Sequence, residues 1–274
     1  MLISIITINY NDVVGLERTI TSVKQQDFED FEHIIIDGNS YDGSKSIIEK
    51  YKNHIGYSIS EPDGGIYHAM NKGIDRAQGD YVLFLNSGDA LYDPTVLKAC
   101  AGHLSTTSIV FGNLVKVDMQ GETTIDYGHR NAKLTLKTFF FSTINHPSTF
   151  IKRTLFQQYG VYDEDLKIVA DWKFFLIVLG LNANTYKYIN ILVSTFYMDG
   201  ISNSNLELRQ AERDSVLKAL IPLPIYEDYI QFNTDSQWLT SNRFKMLLEL
   251  EQYTVPKKIM SLVLRLLVKL YKRN

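Results

Sequence analysis

Residues 2–40 have the sequence LISIITINYNDVVGLERTITSVKQQDFEDFEHIIIDGNS, in which two apolar segments flank a segment with helical periodicity. The first apolar segment, residues 2–9, is rich in β-branched side chains and has the character of a buried strand. Residues 13–26 carry apolar side chains at helical spacing, and residues 33–36 form a second short strand that ends at Asp37. This order predicts a βαβ unit with parallel strands.

The same alternation continues to residue 89. The pattern predicts a helix at 44–51, a strand at 57–60, a helix at 67–76 and a strand at 81–85. Asn9, Asp37, Glu61 and residues 86–89 follow the carboxyl ends of these strands. Because ligands of parallel α/β sheets bind beyond those ends, we expect a ligand site there.

The remaining residues have a less regular pattern. We predict a helix at 94–104, strands at 108–117 and 122–127, helices at 155–159, 171–179, 205–219 and 242–253, and a proline-containing connection at 221–225. The chain is therefore expected to be an α/β domain at 1–200, with a regular half at 1–100 and a less regular half at 101–200. A helical extension at 201–274 follows it.

Composition excludes several classes of protein. The 274 residues are 45% hydrophobic and 22% charged, which is typical of a globular protein and not of a disordered or fibrous one. A formal net charge of -3 gives no overall attraction to nucleic acid. The single cysteine, Cys100, cannot form an internal disulfide or a cysteine-rich zinc site, so a cytoplasmic location is expected.

The sequence also predicts no membrane-spanning helix. The apolar start of the chain lacks a basic leader and reaches Asn9 quickly, so it is expected to be a strand and not a signal peptide. No window contains the roughly 20 consecutive apolar residues that a spanning helix needs. Any membrane contact is therefore expected to be peripheral.

Two aspartates after the predicted strands are candidates for nucleotide binding. Carboxylates are oxygen ligands suited to Mn²⁺ or Mg²⁺, which often bridge protein and substrate phosphates, and Asp89 is placed for this. Asp37 is placed to contact a nucleotide base. An alternative for Asp37 is a turn or helix cap, since Asp-Gly-Asn-Ser also suits that role.

Four segments together resemble glycosyltransferase family 2. They are SIITINYN at 4–11, IIIDGNSYDGS at 34–44, EPDGGIYHAMNKGIDRAQGDYVLFLNSGD at 61–89 and ADWKFFL at 170–176. They occur in the family's order between about residues 3 and 179, and the third is similar to members that assemble polysaccharides. The resemblance implies a GT-A fold, an inverting transfer from a nucleotide sugar, expected to be a uridine diphosphate sugar, and a divalent metal held by an Asp-X-Asp type motif.

The resemblance implies that 1–100 is the nucleotide-sugar half of the domain and 101–200 the acceptor half. It also implies a set of residues that bind the nucleotide sugar. They are Thr7, Asn9, Tyr10, Asp37, Asp63, Asn71, Lys72, Asn86 and Ser87. Within this set, Asp37 is expected to accept a hydrogen bond from the uracil imide. Asn71 and Lys72 are expected to face the diphosphate or the donor sugar, although a solvated lysine near a helix start is the simpler alternative.

The metal motif departs from the family's pattern. Where members usually have Asp-X-Asp-Asp, residues 86–89 are Asn-Ser-Gly-Asp, so Asp89 is the carboxylate left to bind the metal. His146, in Asn-His-Pro-Ser-Thr, matches a histidine of this subgroup and is a second candidate metal ligand. It could instead contact phosphate or acceptor, or be a structural hydrogen-bonding residue.

Asp171 is the candidate catalytic base. Inverting transfer needs a group that removes the acceptor's hydroxyl proton, and a carboxylate can do this. In the family this base lies near the start of a helix after a Gly-Phe-Asp-Glu type segment, matched here by residues 160–164. The alternative is that Asp171 only caps that helix, which contributes about 1 kcal/mol.

The end of the chain has a separate character. Residues 257–273 contain six basic residues and no acidic one, and Lys258, Arg265, Lys269, Lys272 and Arg273 share one helical face. Such a helix can lie on an anionic membrane surface and bring the site to a lipid-linked acceptor. It can also pack against the catalytic domain or another subunit.

These patterns predict a glycosyltransferase of the hexosyltransferase type, which moves a sugar from a nucleotide-sugar donor to a saccharide or lipid-linked saccharide in surface polysaccharide synthesis. Two alternatives stay open: a catalytically inactive nucleotide-sugar-binding module, and another nucleotide-dependent α/β enzyme. The turn after the first strand contains neither a G-x-G-x-x-G fingerprint nor a Walker A loop, which weakens the second alternative.

Overall fold

The computed structural model describes residues 1–130, 132–197, 205–239 and 241–272. Its strands are β1 (Ile3–Asn9), β2 (Phe31–Asp37), β3 (Tyr57–Ser60), β4 (Tyr81–Phe84), β5 (Ala90–Leu91), β6 (Ile109–Val117), β7 (Thr123–Asp126), β8 (Thr149–Lys152) and β9 (Tyr186–Tyr197). Its helices are α1 (Val13–Lys24), α2 (Ser44–Lys50), α3 (Ile66–Arg76), α4 (Val96–Ala101), α5 (Leu136–Phe141), α6 (Thr154–Tyr159), α7 (Ala170–Phe175), α8 (Leu206–Leu220), α9 (Leu223–Leu239), α10 (Asn242–Glu251) and α11 (Thr254–Tyr271).

One sheet runs through the α/β part in the order β3-β2-β1-β4-β8-β6-β9-β5, with β7 paired to β6. The pairs β3–β2, β2–β1 and β1–β4 are parallel, as the strand and helix alternation predicts. The register places Asn9 opposite Asp37, and Asp37 opposite Ser60. The predicted site residues of three strands therefore meet at one edge of the sheet.

The central strand β1 is buried along its whole length because helices cover both faces of the parallel sheet. Helix α1 begins after Asp12, which accepts a hydrogen bond from the Gly15 amide at 2.9 Å. Helix α3 packs closely on β1 at Gly73, where a Cβ atom would lie 2.4 Å from Cγ2 of Ile6. Only glycine permits this approach, which fixes the height of α3 over the sheet.

The second half of the sheet adds antiparallel strands. β8 lies antiparallel between β4 and β6, whereas β9 pairs parallel with β6. β6 and β7 agree with the predicted strands, but the predicted helix 94–104 is shorter, and β9 and α5 were not predicted. The predicted helix 171–179 is α7 continued by a π-helical turn, Leu176–Leu181.

The prediction of a connection at 221–225 is wrong, because helix α9 begins at Leu223. Pro224 occupies the second position of that helix. Proline is tolerated there because the first backbone amides of a helix have no intrahelical acceptor. The proline therefore marks a helix start and not a break.

Contacts divide the chain into two units, 1–216 and 217–274. The predicted domain boundary at residue 200 falls within 198–204, outside the described residues, so it stays a prediction.

In the second unit, α11 keeps its apolar side chains exposed, among them Ile259, Leu262 and Leu270. Arg273 lies outside the described residues. No helix in the described part of the chain is long and apolar enough to span a membrane.

Candidate active site

Asn9 joins the ends of three strands at the start of the site. Its amide nitrogen donates to Oδ1 of Asp37 at 2.7 Å, and its amide oxygen accepts from the Ser87 hydroxyl at 2.8 Å. The same side chain thus ties the end of β2 to the turn after β4. The structure brings together these three residues of the predicted donor set.

Asp37 is fully buried. Its carboxylate also accepts hydrogen bonds from the backbone amide and hydroxyl of Ser40, and from the hydroxyl of Ser60. These bonds offset the cost of burying a carboxylate and fix the loop after β2. The turn role weighed for Asp37 is therefore present, and its contact with a nucleotide base stays a prediction.

Thr7 lies deeper than the other predicted donor residues. It is 0% exposed, and its hydroxyl donates to the Leu85 carbonyl at 2.8 Å and lies 2.9 Å from Nε2 of His33. Burial lowers the pKa of His33 to about 3. This neutral pair crosslinks the sheet beneath the site, and a direct contact of Thr7 with the donor stays a prediction.

Tyr10, Gly38 and Asp63 lie together beyond the ends of β1 and β2. Tyr10 follows the end of β1 and is 65% exposed. A Cβ atom on Gly38 would lie 2.7 Å from Oδ2 of Asp63 and 3.1 Å from Cδ2 of Tyr10. The glycine therefore lets an aromatic ring and a carboxylate pack against its backbone, and the donor contacts of Tyr10 and Asp63 stay predictions.

Two predicted donor residues on α3 already have protein partners. The Asn71 amide donates to the Tyr162 carbonyl and to Glu164, each at 2.8 Å, and accepts from the Tyr162 amide at 3.0 Å. Lys72 forms an ion pair with Glu61 at 2.7 Å. The structure thus directs Asn71 toward the acceptor half, and the donor roles of both residues stay predictions.

The turn at 86–89 is fastened to helix α1. The Thr19 hydroxyl donates to the Asp89 carbonyl at 2.6 Å and lies 3.2 Å from the Asn86 carbonyl, and Arg18 donates to the Gly88 carbonyl at 3.2 Å. Gly88 has φ of 98°, a conformation that L side chains rarely adopt. This turn therefore favours glycine where the family's usual motif has an aspartate.

Asp89, Asn86 and His146 form a polar group beside this turn. Asp89 is 4% exposed, and its charge raises the pKa of His146. The Asn86 amide nitrogen lies 3.5 Å from Nε2 of His146. The buried amide oxygen of Asn86 has no hydrogen-bond partner in the described structure. The group supplies one carboxylate, one imidazole and one unpaired amide oxygen.

These donors fit a divalent cation that is shared with a substrate. Mg²⁺ is usually bound through one or two carboxylates plus substrate phosphates, without a complete protein cage. Among the described residues, no three His, Cys, Asp or Glu side chains converge on one point. A cation at Asp89 and His146 therefore needs phosphate oxygens to complete its coordination.

Asp171 lies next to His146. Its Oδ2 is 3.3 Å from Nδ1 of His146, and its Oδ1 accepts from the Tyr67 hydroxyl at 3.1 Å. Helix α7 is capped by Val169 without a side-chain bond, so the alternative that Asp171 is the helix cap is wrong. A line of contacts thus runs from Asn86 through His146 to the candidate base.

The two titrating groups of this line shift each other's pKa. Burial raises the pKa of Asp171, but the hydrogen bond and charge of His146, together with hydrogen bonds from the Trp172 backbone and Tyr67, lower that pKa below its ordinary value. Burial lowers the pKa of His146, but Asp171 and then Asp89 outweigh it and raise that pKa. At neutral pH the carboxylate is therefore ionised and able to accept a proton.

Sequence reasoning missed Tyr67, Thr19, Arg18 and Arg213. Tyr67 lies inside the segment that resembles the family, but its hydroxyl contact joins residues 104 positions apart. Arg213 lies 4.6 Å from the Trp172 ring centroid and donates to the Ser142 carbonyl at 2.9 Å. No local spacing could reveal such long-range contacts.

Comparison with known families matches residues 4–162 to the model described as "Glycosyl transferase family 2". The chain belongs to glycosyltransferase family 2. The match covers the strands and turns that carry Asn9, Asp37 and Asp89 and ends before Asp171. The predicted family and the predicted enzyme class, a glycosyltransferase, are confirmed.

Two relatives illustrate the family. An uncharacterised glycosyltransferase of Mycobacterium tuberculosis (strain CDC 1551 / Oshkosh) is 36% identical over 177 residues, which cover 64% of this chain and 67% of that protein. The GalNAc(5)-diNAcBac-PP-undecaprenol beta-1,3-glucosyltransferase of Campylobacter jejuni is 28% identical over 152 residues, 51% of this chain and 48% of that protein.

Solved structures share the fold. TarS residues 1–349 of S. aureus in complex with UDP-GlcNAc has a TM-score of 0.61 and 21% identity, covering 73% of this family 2 chain and 59% of the solved TarS 1–349 chain. A mannosyltransferase of Pyrobaculum calidifontis with GDP-Man and Mn²⁺ has a TM-score of 0.55 and 13% identity, covering 95% and 86%. The predicted GT-A fold with a helical extension is confirmed.

Proposed function

We propose that this glycosyltransferase transfers a sugar, with inversion, from a uridine diphosphate sugar to a saccharide or lipid-linked saccharide in surface polysaccharide synthesis. One observation carries the proposal: an ionised carboxylate, Asp171, lies at the end of a contact line that starts at the turn 86–89. Donor and acceptor groups can therefore meet at one place. The names of TarS bound to UDP-GlcNAc and of the Campylobacter enzyme support the donor and acceptor classes.

Donor binding is assigned to the edge of the parallel sheet. The exposed Tyr10 ring and Asp63 would hold the base over Gly38, while Asp37 and Asn9 keep that loop in place through their hydrogen bonds. Gly38 lets Tyr10 and Asp63 lie close together because no Cβ atom separates them from its backbone. The diphosphate would then extend toward Asp89.

The acceptor half supplies the base. Asp171 would accept the proton of the acceptor hydroxyl as that oxygen attacks the anomeric carbon and the nucleoside diphosphate departs. Direct displacement inverts the anomeric centre and needs no covalent nucleophile. His146, beside both Asp171 and Asp89, would supply a positive charge close to the departing diphosphate when it is protonated and no cation is bound to it.

Asp89, His146 and the unpaired Asn86 oxygen would hold Mn²⁺ or Mg²⁺ together with the diphosphate. A cation bound there would neutralise the negative charge that develops on the leaving group. The Mn²⁺ in the Pyrobaculum mannosyltransferase belongs to a protein of the same fold and supports this choice of ion.

Two measurements test the transfer. Calorimetry with UDP and with UDP-GlcNAc, each with and without Mn²⁺, measures donor binding. A coupled assay of UDP release, run over a panel of UDP-sugars and undecaprenyl diphosphate-linked glycans, measures turnover. We expect Asp171→Asn to bind UDP like the unaltered chain and to lose transfer; full transfer by this variant would refute the base.

An inactive binding module is the alternative that the altered metal motif favours. It predicts donor binding without acceptor-dependent UDP release from any member of the panel. Acceptor-dependent release from the unaltered chain, absent from Asp171→Asn, would exclude it.

Helix α11 is proposed as a peripheral membrane contact at the cytoplasmic face. The helix carries Lys258, Arg265 and Lys269 among exposed apolar side chains. No acidic residue occurs between 254 and 272. Anionic headgroups attract such a surface, and apolar side chains can enter the interface. Lys257 is less available because it pairs with Glu251 at 2.8 Å.

The membrane test uses the triple variant Lys258→Glu, Arg265→Glu and Lys269→Glu, which keeps the helix length. We expect the unaltered chain to sediment with phosphatidylglycerol vesicles and the variant to stay in solution, with UDP affinity unchanged in both. Equal sedimentation of both chains, or none, would reject the contact. A concentration-dependent dimer without sedimentation would favour an oligomer contact instead.

A further inference from the structure

Tyr67 is a buried tyrosine that the proposed mechanism does not use. It lies in the first turns of α3, is 6% exposed, and packs edge-on against the Tyr162 ring with centroids 5.6 Å apart. Its hydroxyl donates to Oδ1 of Asp171 at 3.1 Å. A helix of the nucleotide-sugar half therefore contacts the candidate base of the acceptor half.

The Asp171 carboxylate is held from two sides. Tyr67 contacts one oxygen from α3, and His146 lies 3.3 Å from the other oxygen. The terminal torsion of aspartate is broad and soft, so an unsupported carboxylate rotates easily. An ionised carboxylate has about four lone-pair sites, so these two contacts and the Trp172 backbone amide still leave a site free for an acceptor hydroxyl.

A second contact one helical turn later fixes α3 to the same region. Asn71 bonds to both backbone groups of Tyr162 and to Glu164, in the segment that precedes α7. Residues four apart on a helix share one face, so Tyr67 and Asn71 present a common surface to the acceptor half. This contact limits movement of the Tyr67 hydroxyl relative to Asp171.

Resting on the proposed role of Asp171 as the base, we propose that Tyr67 is a positioning residue for this reaction. Its hydroxyl fixes the orientation of the Asp171 carboxylate, so that a free lone pair points at the acceptor hydroxyl. Because α3 follows directly from the loop that carries Asp63, a proposed donor residue, one helix places the base relative to the donor.

The surroundings of Asp171 provide a matched control. Tyr67, His146, Tyr162 and Arg213 are the titratable or charged side chains that act on it from the packed elements. The Tyr162 hydroxyl is buried near Asp171 but has no hydrogen-bond partner in the described structure. Tyr162→Phe therefore removes a neighbouring hydroxyl without removing a bond to the base.

The experiment compares Tyr67→Phe with Tyr162→Phe in the full chain. Turnover is measured as UDP release with the donor and acceptor pair that the panel shows to react. UDP affinity is measured by calorimetry. The pKa of Asp171 is measured by carboxyl ¹³C NMR titration. Asp171→Asn identifies the resonance. For Tyr67→Phe we expect kcat to fall roughly tenfold or more, as one hydrogen bond to a charged group implies. The affinity for UDP is expected to stay unchanged.

The pKa gives the readout that a purely structural role would not move. Tyr67 donates to the ionised form, so its loss raises the pKa of Asp171 and moves the acidic limb of the kcat profile to higher pH. Tyr162→Phe is expected to change neither the pKa of Asp171 nor the acidic limb of the kcat profile. An unchanged Asp171 pKa and kcat in Tyr67→Phe would overturn the inference, provided that Asp171→Asn is inactive. An active Asp171→Asn would overturn the proposed base itself.

Discussion

Replacement of Asn71 by alanine distinguishes a structural role of this residue from a role in donor binding. The amide is 9% exposed and makes three hydrogen bonds, at 2.8, 2.8 and 3.0 Å, two of them to the backbone of Tyr162. Each bond contributes about 0.5–1.5 kcal/mol, and a buried group left unpaired costs about 1–3 kcal/mol. We therefore expect Asn71→Ala to lower the free energy of unfolding by about 2–4 kcal/mol.

The assay is thermal unfolding followed by circular dichroism, together with calorimetry with UDP below the transition. A loss of this size lowers the melting temperature by roughly 5–15 °C for a unit of about 200 residues. UDP affinity should be unchanged, because the amide faces Tyr162 and Glu164. The control is Asn53→Ala, at an exposed position outside the site, which should change neither quantity. An unchanged melting temperature with at least tenfold weaker UDP binding would refute this reasoning and support a donor contact.

Four further outcomes are expected. His146→Gln removes the charge that lowers the Asp171 pKa, so the acidic limb of the kcat profile should move to higher pH; an unmoved limb would contradict the pairing. Tyr162→Phe removes a buried hydroxyl without a partner, so the melting temperature should stay level or rise, and a clear fall would reveal a missed bond. His33 is buried and neutral with its pKa lowered to about 3, so its stabilising effect is complete above about pH 6.5 and is lost as pH falls. Melting temperatures of the unaltered chain should therefore fall between about pH 7 and pH 5, and less so in His33→Gln; equal falls would reject this origin. Asp89→Asn should abolish any strengthening of UDP binding by Mn²⁺, and retained strengthening would place the cation elsewhere.

Local pattern was sufficient for the parallel half of the fold. The strands at 3–9, 31–37 and 57–60 and the helices between them follow from hydrophobic periodicity, because each element must bury one face or both. The end of each parallel strand then determines which side chains reach the ligand edge. Asn9, Asp37 and Ser87 meet there for this reason.

Local pattern was insufficient where contacts span long separations. Strand β9 and helix α5 acquire their places from pairing and packing with distant elements, and a proline at 224 starts a helix that its composition does not indicate. Tyr67 and Arg213 are linked to the base region only through tertiary contacts. The sequence offers no spacing from which those contacts could be inferred.

The sequence alone determined the family, the parallel βαβ core and Asp37, Asp89 and Asp171 as candidate site residues, because motifs and periodicity are local properties of a chain. Only the tertiary structure decided that Asp37 is fully buried, that Asn71 faces Tyr162, that position 88 favours glycine, and that Tyr67 and His146 hold the Asp171 carboxylate. Hydrogen bonds and burial depend on which distant side chains meet. The choice of Asp171 as the candidate base is therefore a matter of sequence, whereas the orientation and pKa of its carboxylate are set by the fold.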